Sequence, residues 1–200
     1  MDVLEKARVM YYHRQSIQDT QDPARQLGWT NLEAQQKRFE ALCHFPQLDG
    51  KVVLDVGCGT GDLKVFLDER YRHVTYLGID HLPEFVNRAR QRFDGVANTF
   101  FMQADFITDG LPEVDYVFAS GALSYQTNDM LFPYSILMKL YSRARRGVAF
   151  NLLDDSNFVS SDWLKAYNRN EVFQFSQNLA SRAELITGYL PDDFTILMFK

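Results

Sequence analysis

The residues best suited to chemistry lie in Asp55-Val56-Gly57-Cys58-Gly59-Thr60-Gly61, where three alternate glycines follow the apolar run Val52-Val53-Leu54 and precede an amphipathic segment. Glycine takes positive φ readily and leaves bare backbone that a ligand can approach. A helix starting just behind such a turn adds free N–H groups and the positive end of its dipole. The segment therefore reads as a strand, a tight turn and a helix start facing a nucleotide-like ligand. Dinucleotide folds use G-x-G-x-x-G at this point, whereas the spacing here is G-x-G-x-G with an acid two residues ahead. Two further acids end apolar runs: Asp80 closes Tyr76-Leu77-Gly78-Ile79 and precedes His81, and Asp105 follows Met102-Gln103-Ala104 and precedes Phe106. An acid at the position of Asp80 can accept both hydroxyls of a ribose. The same residue type also caps helices, here the segment His81-Leu82-Pro83-Glu84.

Other chemistries lack their residues. Cys43 and Cys58 make neither a disulfide framework nor a metal site, and Cys58 reads as a small filler of the glycine turn. His13, His44, His73 and His81 show no ligand spacing such as H-x-x-x-H, so no metal is expected. No His-Asp pair stands out as a base; Tyr12, His13 and Asn151 are the candidates nearest to a catalytic role. A net charge of −5 argues against nucleic-acid binding by counterion release. The basic run Arg143, Arg145 and Arg146 reads as the charged end of a helix. No apolar run approaches the roughly 20 residues of a membrane span, and the first residues lack a signal-peptide core, so a cytoplasmic protein is expected. With 200 residues, 46% of them hydrophobic, the chain suits one domain around a sizeable core.

The string D-x-G-x-G-x-G after an apolar strand resembles the first motif of the class I S-adenosylmethionine-dependent methyltransferases. Tyr76–Asp80 resembles that family's second strand with its terminal acid, and Asp105 its third-strand acid. Asp115–Ser120 resembles the fourth strand and Asp193–Phe199 the last, in matching order from about residue 50 onward. The resemblance implies S-adenosyl-L-methionine as cofactor and in-line methyl transfer. It places Gly57, Cys58, Gly59 and Gly61 against the homocysteine part and the ribose, and Asp80 with His81 at the ribose. Asp105 and Phe106 would meet the adenine, with a turn-forming role for Asp105 as the alternative. Asp55 would hold the loop backbone or reach the cofactor's amino group through water, and Ser120 and Gly121 would meet its ammonium.

Enzymes that methylate nucleic-acid bases carry an Asn/Asp-Pro-Pro-Tyr-like string after the fourth strand, where this chain has Ala119-Ser120-Gly121-Ala122-Leu123. A small-molecule or peptide acceptor is expected instead, with no nucleic acid and no membrane as partner. The N-terminal stretch, with Tyr11-Tyr12 and Gln26-Leu27-Gly28-Trp29, resembles a bacterial subgroup whose aromatic leader ends Leu-Gly-Trp before a Gln/Arg-bearing helix. In that subgroup the leader covers the cofactor cleft. Tyr11, Tyr12, Trp29, Gln36 and Arg38 thereby become candidates for closing the site, against an ordinary helix on the sheet edge. Ser120, Tyr125 and Asn151 would orient the acceptor. The competing readings are attack within the cofactor that releases methylthioadenosine, an inactive cofactor-binding protein, and a nicotinamide-dependent oxidoreductase. The glycine spacing, Asp105 and the chain's end oppose the last of these.

The elements that must position these residues alternate as in a doubly wound parallel sheet. Strands are expected near 51–56, 74–79, 98–103, 114–119 and 147–152, and helices near 62–70, 82–93, 131–144 and 163–181. Residues 183–189 and 193–199 read as an antiparallel hairpin joined by Leu190-Pro191-Asp192, which makes a seven-stranded α/β sheet. Thr30 and Glu33 form a capping-box pattern before a helix at about 31–44, and a shorter helix is expected around 2–18. Residues 1–46 are thus an N-terminal helical lid and 47–200 a Rossmann-like core, together one domain.

Overall fold

Val52–Val56 forms β1, Thr75–Asp80 β2, Thr99–Gln103 β3 and Val114–Ala119 β4, each a short, largely apolar run whose carboxyl end meets a turn. Ala144–Asp154 forms β5, Ala166–Tyr167 β6, Arg182–Ile186 β7 and Asp193–Phe199 β8. The helices are α1 (Val3–Asp19), α2 (Pro23–Gln26), α3 (Leu32–Leu42), α4 (Asp62–Arg70), α5 (Pro83–Arg92), α6 (Phe132–Arg143) and α7 (Arg169–Leu179). This computed structural model describes all 200 residues.

The sheet runs β3-β2-β1-β4-β5-β8-β7, with the two-residue β6 beside β5. Strands β1 to β5 pair in parallel, and β8 lies antiparallel between β5 and β7. Period-two alternation sends Leu54, Val56, Val117, Val148 and Ile196 to one face and Val53, Tyr76, Tyr116, Phe118 and Leu197 to the other. Each face is sealed by its own apolar layer, as expected of strands buried on both sides. One layer receives Ile136, Leu137 and Leu140 of α6 and Val172 of α7; the other receives Phe39 and Leu42 of α3, Phe66 and Leu67 of α4, and Val86 and Ala89 of α5. The expected α/β architecture with its terminal antiparallel strand is the one observed.

Several local expectations are corrected. The cap of α3 is Asn31, whose side chain accepts the Ala34 N–H at 2.8 Å, so the Thr30–Glu33 box does not form there. A capping box does open α1, where Asp2 and Glu5 exchange side-chain and backbone bonds of 2.8 Å each. The helix expected at 163–181 shortens to α7. Residues before it are extended because Leu164 bridges Tyr125 and Ala166–Tyr167 pairs with β5, and Asn168 then caps the helix. Strand β7 stops at Ile186, and a longer connection with Gly188 at φ 83° leads to β8.

The apolar stripe of α3 packs on the β5–β8 side of the core while Gln35, Arg38 and Phe39 also reach the cavity at the strands' carboxyl ends, which α1 and residues 27–30 after α2 border as well.

Candidate functional site

The carboxyl ends of β1 to β5, roofed by α1 and by residues 27–30 after α2, border a cavity of about 430 Å³. That size lies within the roughly 300–1,000 Å³ of small-molecule sites. Its position at the carboxyl edge is where open α/β sheets take ligands.

The glycine turn is pinned to β2: the N–H groups of Gly57 and Cys58 both donate to the Ile79 carbonyl, at 2.8 and 3.0 Å. Gly57 sits at φ 75°, and a Cβ there would stand 2.6 Å from the Ala122 Cβ, so both backbone and space require glycine. Gly59 lines the cavity beneath Leu27, and Gly61 caps α4 with its missing side chain turned toward Phe93 and Phe101, outside the cavity. Gly121, at φ 66°, lies under the Trp29 ring, which would stand 2.4 Å from an added Cβ.

Each acid has a defined setting. Asp80 is buried; one carboxylate oxygen accepts the Gly59 N–H at 3.0 Å and the other the Leu82 N–H at 2.8 Å. Burial raises its pKa, against these hydrogen bonds and the neighbouring His81. Asp55 accepts from the Tyr76 hydroxyl at 2.5 Å, and full burial pushes its carboxyl up to about 7. Asp105 accepts the Ile107 N–H at 2.9 Å through one oxygen, and through the other the Lys6 ammonium at 2.6 Å and the Thr108 hydroxyl at 3.0 Å. Partial burial raises its pKa, but the hydrogen bonds from Lys6, Ile107 and Thr108 outweigh that and hold the carboxyl below its ordinary value. Phe106 is buried beside it and also faces the cavity.

Asn151 crosses from β5: its carbonyl oxygen accepts the Gly121 N–H at 2.8 Å, and its amide approaches the Ser120 hydroxyl at 3.4 Å. Both ends of the side chain are thereby spent on the Ser120–Gly121 turn, although Asn151 still borders the cavity. His81 lines the cavity too, with a buried Nε2 that has no partner.

The N-terminal elements contribute unequally. Tyr12, His13, Trp29 and Arg38 all border the cavity, whereas Tyr11 and Gln36 point to solvent. On α3 the inward stripe is Gln35, Arg38, Phe39 and Leu42, at helical spacing, so Gln36 falls about 100° off it. Gln35 takes that place and donates to Asp62 at 3.3 Å. Arg38 donates from Nε to Asp193 at 2.7 Å and lies 5.0 Å from the centre of the Trp29 ring. Burial raises the Asp193 carboxyl to about 6, against the pull of Arg38. Tyr125 meets His13 across the cavity wall at 2.5 Å. Lys6, Leu27, Gln35, Asp62 and Asp193 also border the cavity and escaped the sequence reading; only Gln35 carried a usable signal, its place on the stripe of Phe39 and Leu42.

Six carboxylates line the cavity, those of Asp55, Asp62, Asp80, Asp105, Asp192 and Asp193, against the cations Lys6 and Arg38. The excess of carboxylates over cations suits the positive groups of a ligand, while the tight glycine turn, bare of side chains, suits one carrying a nucleoside. S-adenosylmethionine, with its sulfonium and ammonium, fits both. No group of three or more His, Cys, Asp or Glu side chains is arranged to hold a metal ion. No helix is long and apolar enough to cross a membrane.

Comparison with known proteins agrees with this geometry. Residues 53–137 match the model of a methyltransferase domain. The protein Rv1506c of Mycobacterium tuberculosis, which carries a provisional methyltransferase name, is 33% identical over 154 residues, 73% of this chain and 91% of that one. The malonyl-[acyl-carrier protein] O-methyltransferase of a Marinomonas species is 29% identical over 67% of this chain, which spans only 50% of that relative. In fold, the chain is similar to the magnesium protoporphyrin IX methyltransferase of Synechocystis solved with bound S-adenosylhomocysteine, at TM-score 0.72 and 18% identity over 98% of this chain and 99% of that one. On the strength of the Mycobacterium relative and the domain match, the chain belongs to the class I S-adenosylmethionine-dependent methyltransferases.

Proposed function

We propose that the protein transfers the methyl group of S-adenosylmethionine, in line, to a small-molecule or peptide acceptor held in the same cavity beneath α1 and α2. The observation that carries this reading is the convergence of the glycine turn, Asp80 and Asp105 on one enclosed, acidic cavity. Gly57, Cys58 and Gly59 would cradle the cofactor, Asp80 would take the ribose with its remaining lone pairs, and Asp105 with Phe106 would face the adenine. Ser120 and Gly121, set by Asn151, would meet the ammonium, and Gly61 would start the helix behind the turn. Trp29 and Arg38 would close the roof over Gly121. Within residues 1–46 of this single domain, α1 and residues 27–30 act as the cover, and α3 both joins the sheet's helix layer and lends Gln35 and Arg38 to the cavity.

The bound cofactor supplies an already activated methyl group, so the chain's task is positioning and exclusion of water. A small or tethered acceptor suits the enclosed cavity, and the named acceptor of the Marinomonas relative, an acyl group on a carrier protein, is of that kind. The two free, buried cysteines suit a reducing compartment, which favours the cytoplasm.

Calorimetric titration with S-adenosylhomocysteine tests the site. One binding site is expected in the parent protein and none in Gly57→Val, whose branched side chain has no room beside Ala122. Retained binding in a folded Gly57→Val protein would move the cofactor elsewhere.

A further inference from the structure

One wall of the cavity has chemistry that cofactor binding leaves unused. His13 of α1 is buried, and its Nε2 meets the Tyr125 hydroxyl at 2.5 Å. Its ring stands edge-on to Tyr12 and Phe85, with centroids 5.3 Å apart in each case. Its Nδ1 is buried with no hydrogen-bond partner. Around these polar atoms the wall is apolar, with Val9, Met10, Phe85, Phe158 and Leu164 bordering the cavity. The wall thus offers a hydroxyl and an imidazole within an apolar stretch of the cavity lining.

Neither group is suited to strip a proton from an alcohol or an ammonium. Burial depresses His13 to about 4, with His81 acting in the same direction, and burial also keeps the Tyr125 hydroxyl protonated. Five of the six cavity carboxylates are engaged: Asp80 by the N–H groups of Gly59 and Leu82, Asp105 by Lys6, Asp193 by Arg38, Asp55 by the Tyr76 hydroxyl and Asp62 by Gln35 and Arg92. Methyl transfer needs a general base only when the acceptor arrives protonated. An acceptor already ionised at neutral pH needs a hydrogen-bond donor instead, and the His13–Tyr125 pair has one proton left to donate.

We propose that His13 and Tyr125 seat a carboxylate borne on an apolar body, and that the product is its methyl ester. This rests on the methyl-transfer reading above. One carboxylate oxygen forms the new O–C bond, the methyl C–S bond breaks with its electron pair passing to sulfur, and no proton, oxidant or reductant takes part. The Tyr125 hydroxyl donates to the second oxygen while accepting from His13 Nε2–H, so His13 orients the donor rather than adding a second one. The anion's charge and the sulfonium's cancel as the bond forms.

The test uses S-adenosylmethionine labelled with ¹⁴C in its methyl group, incubated with the full-length protein and a cell metabolite extract, followed by mild alkali. Esters release the label as volatile methanol, and most of the transferred label is expected to leave that way. Label retained in alkali-stable product overturns the carboxylate acceptor and leaves methyl transfer standing. No transferred label removes methyl transfer itself, and the acceptor with it. His13→Gln and Tyr125→Phe should bind S-adenosylhomocysteine within about twofold of the parent while losing at least tenfold of the alkali-labile label. Unchanged ester formation, or an equal loss of both readouts, would overturn the assignment of these two residues.

Discussion

Asp80 holds the glycine turn and the start of α5 with a single carboxylate, through Gly59 and Leu82. Replacing it by alanine strands two buried N–H groups, each at about 1–3 kcal/mol. The melting temperature and the affinity for S-adenosylhomocysteine should therefore fall together in Asp80→Ala, as read by calorimetry; an unchanged dissociation constant would separate the residue from the ligand. His13 carries a pH signature. The folded chain holds it neutral down to about pH 4, against 6.5 for the ordinary side chain, because burial disfavours the cation. Between those values the unfolded chain binds the extra proton, so this contribution is present above pH 6.5 and is lost as pH falls toward 4. Asp55 and Asp193, raised by burial to about 7 and about 6, have the opposite sign and lose stability as pH rises toward those values. His13→Gln should remove the first slope alone, so that relative to the parent it gains about 3 kcal/mol between pH 6.5 and 4 in urea titrations. Parallel pH curves for the two proteins would contradict the buried neutral imidazole. At this scale the glycines and strand-end acids were legible because their types and spacing are local. Gln35 was not, because one step along a helix turns a side chain by about 100° and the sequence did not mark which face the sheet covers.

Helix α1 is fastened along its length by polar contacts with the strand-end loops. Glu5 accepts the Asn128 N–H at 2.7 Å and the Thr127 hydroxyl at 2.9 Å, Arg14 pairs with Glu84 at 2.7 Å, and Lys6 pairs with Asp105 at 2.6 Å. A cover held by partly exposed ion pairs opens more easily than one held by a core. Lys6→Ala should change global stability by less than about 1 kcal/mol while speeding hydrogen exchange of α1 amides, an effect that salt should mimic in the parent. Unchanged exchange would mean that α1 is held by its apolar contacts alone. The elements themselves were readable where apolar runs end in local turn signals, as in α4 and β1 to β4. The stretch before α7 was not, since its extended form comes from pairing with Tyr125 and β5, partners distant in sequence.

Across the whole molecule, the antiparallel β8 brings the end of the chain back to the site. Inserted between β5 and β7, it sets Asp193 against Arg38, which in turn lies along Trp29 over Gly121. The hairpin could be read from two apolar runs around Pro191, but the contact it creates with α3 could not, because it depends on strand order across the sheet. One cavity is thus assembled from the N-terminal cover, five strand ends and the final strand. The account's central claim is that this cavity spends S-adenosylmethionine on methyl transfer to a second molecule. Chromatography with mass detection of the nucleoside formed by the purified protein, alone and with metabolite extract, tests it directly. S-adenosylhomocysteine that appears only with extract is the predicted result, whereas methylthioadenosine formed by the protein alone would contradict it.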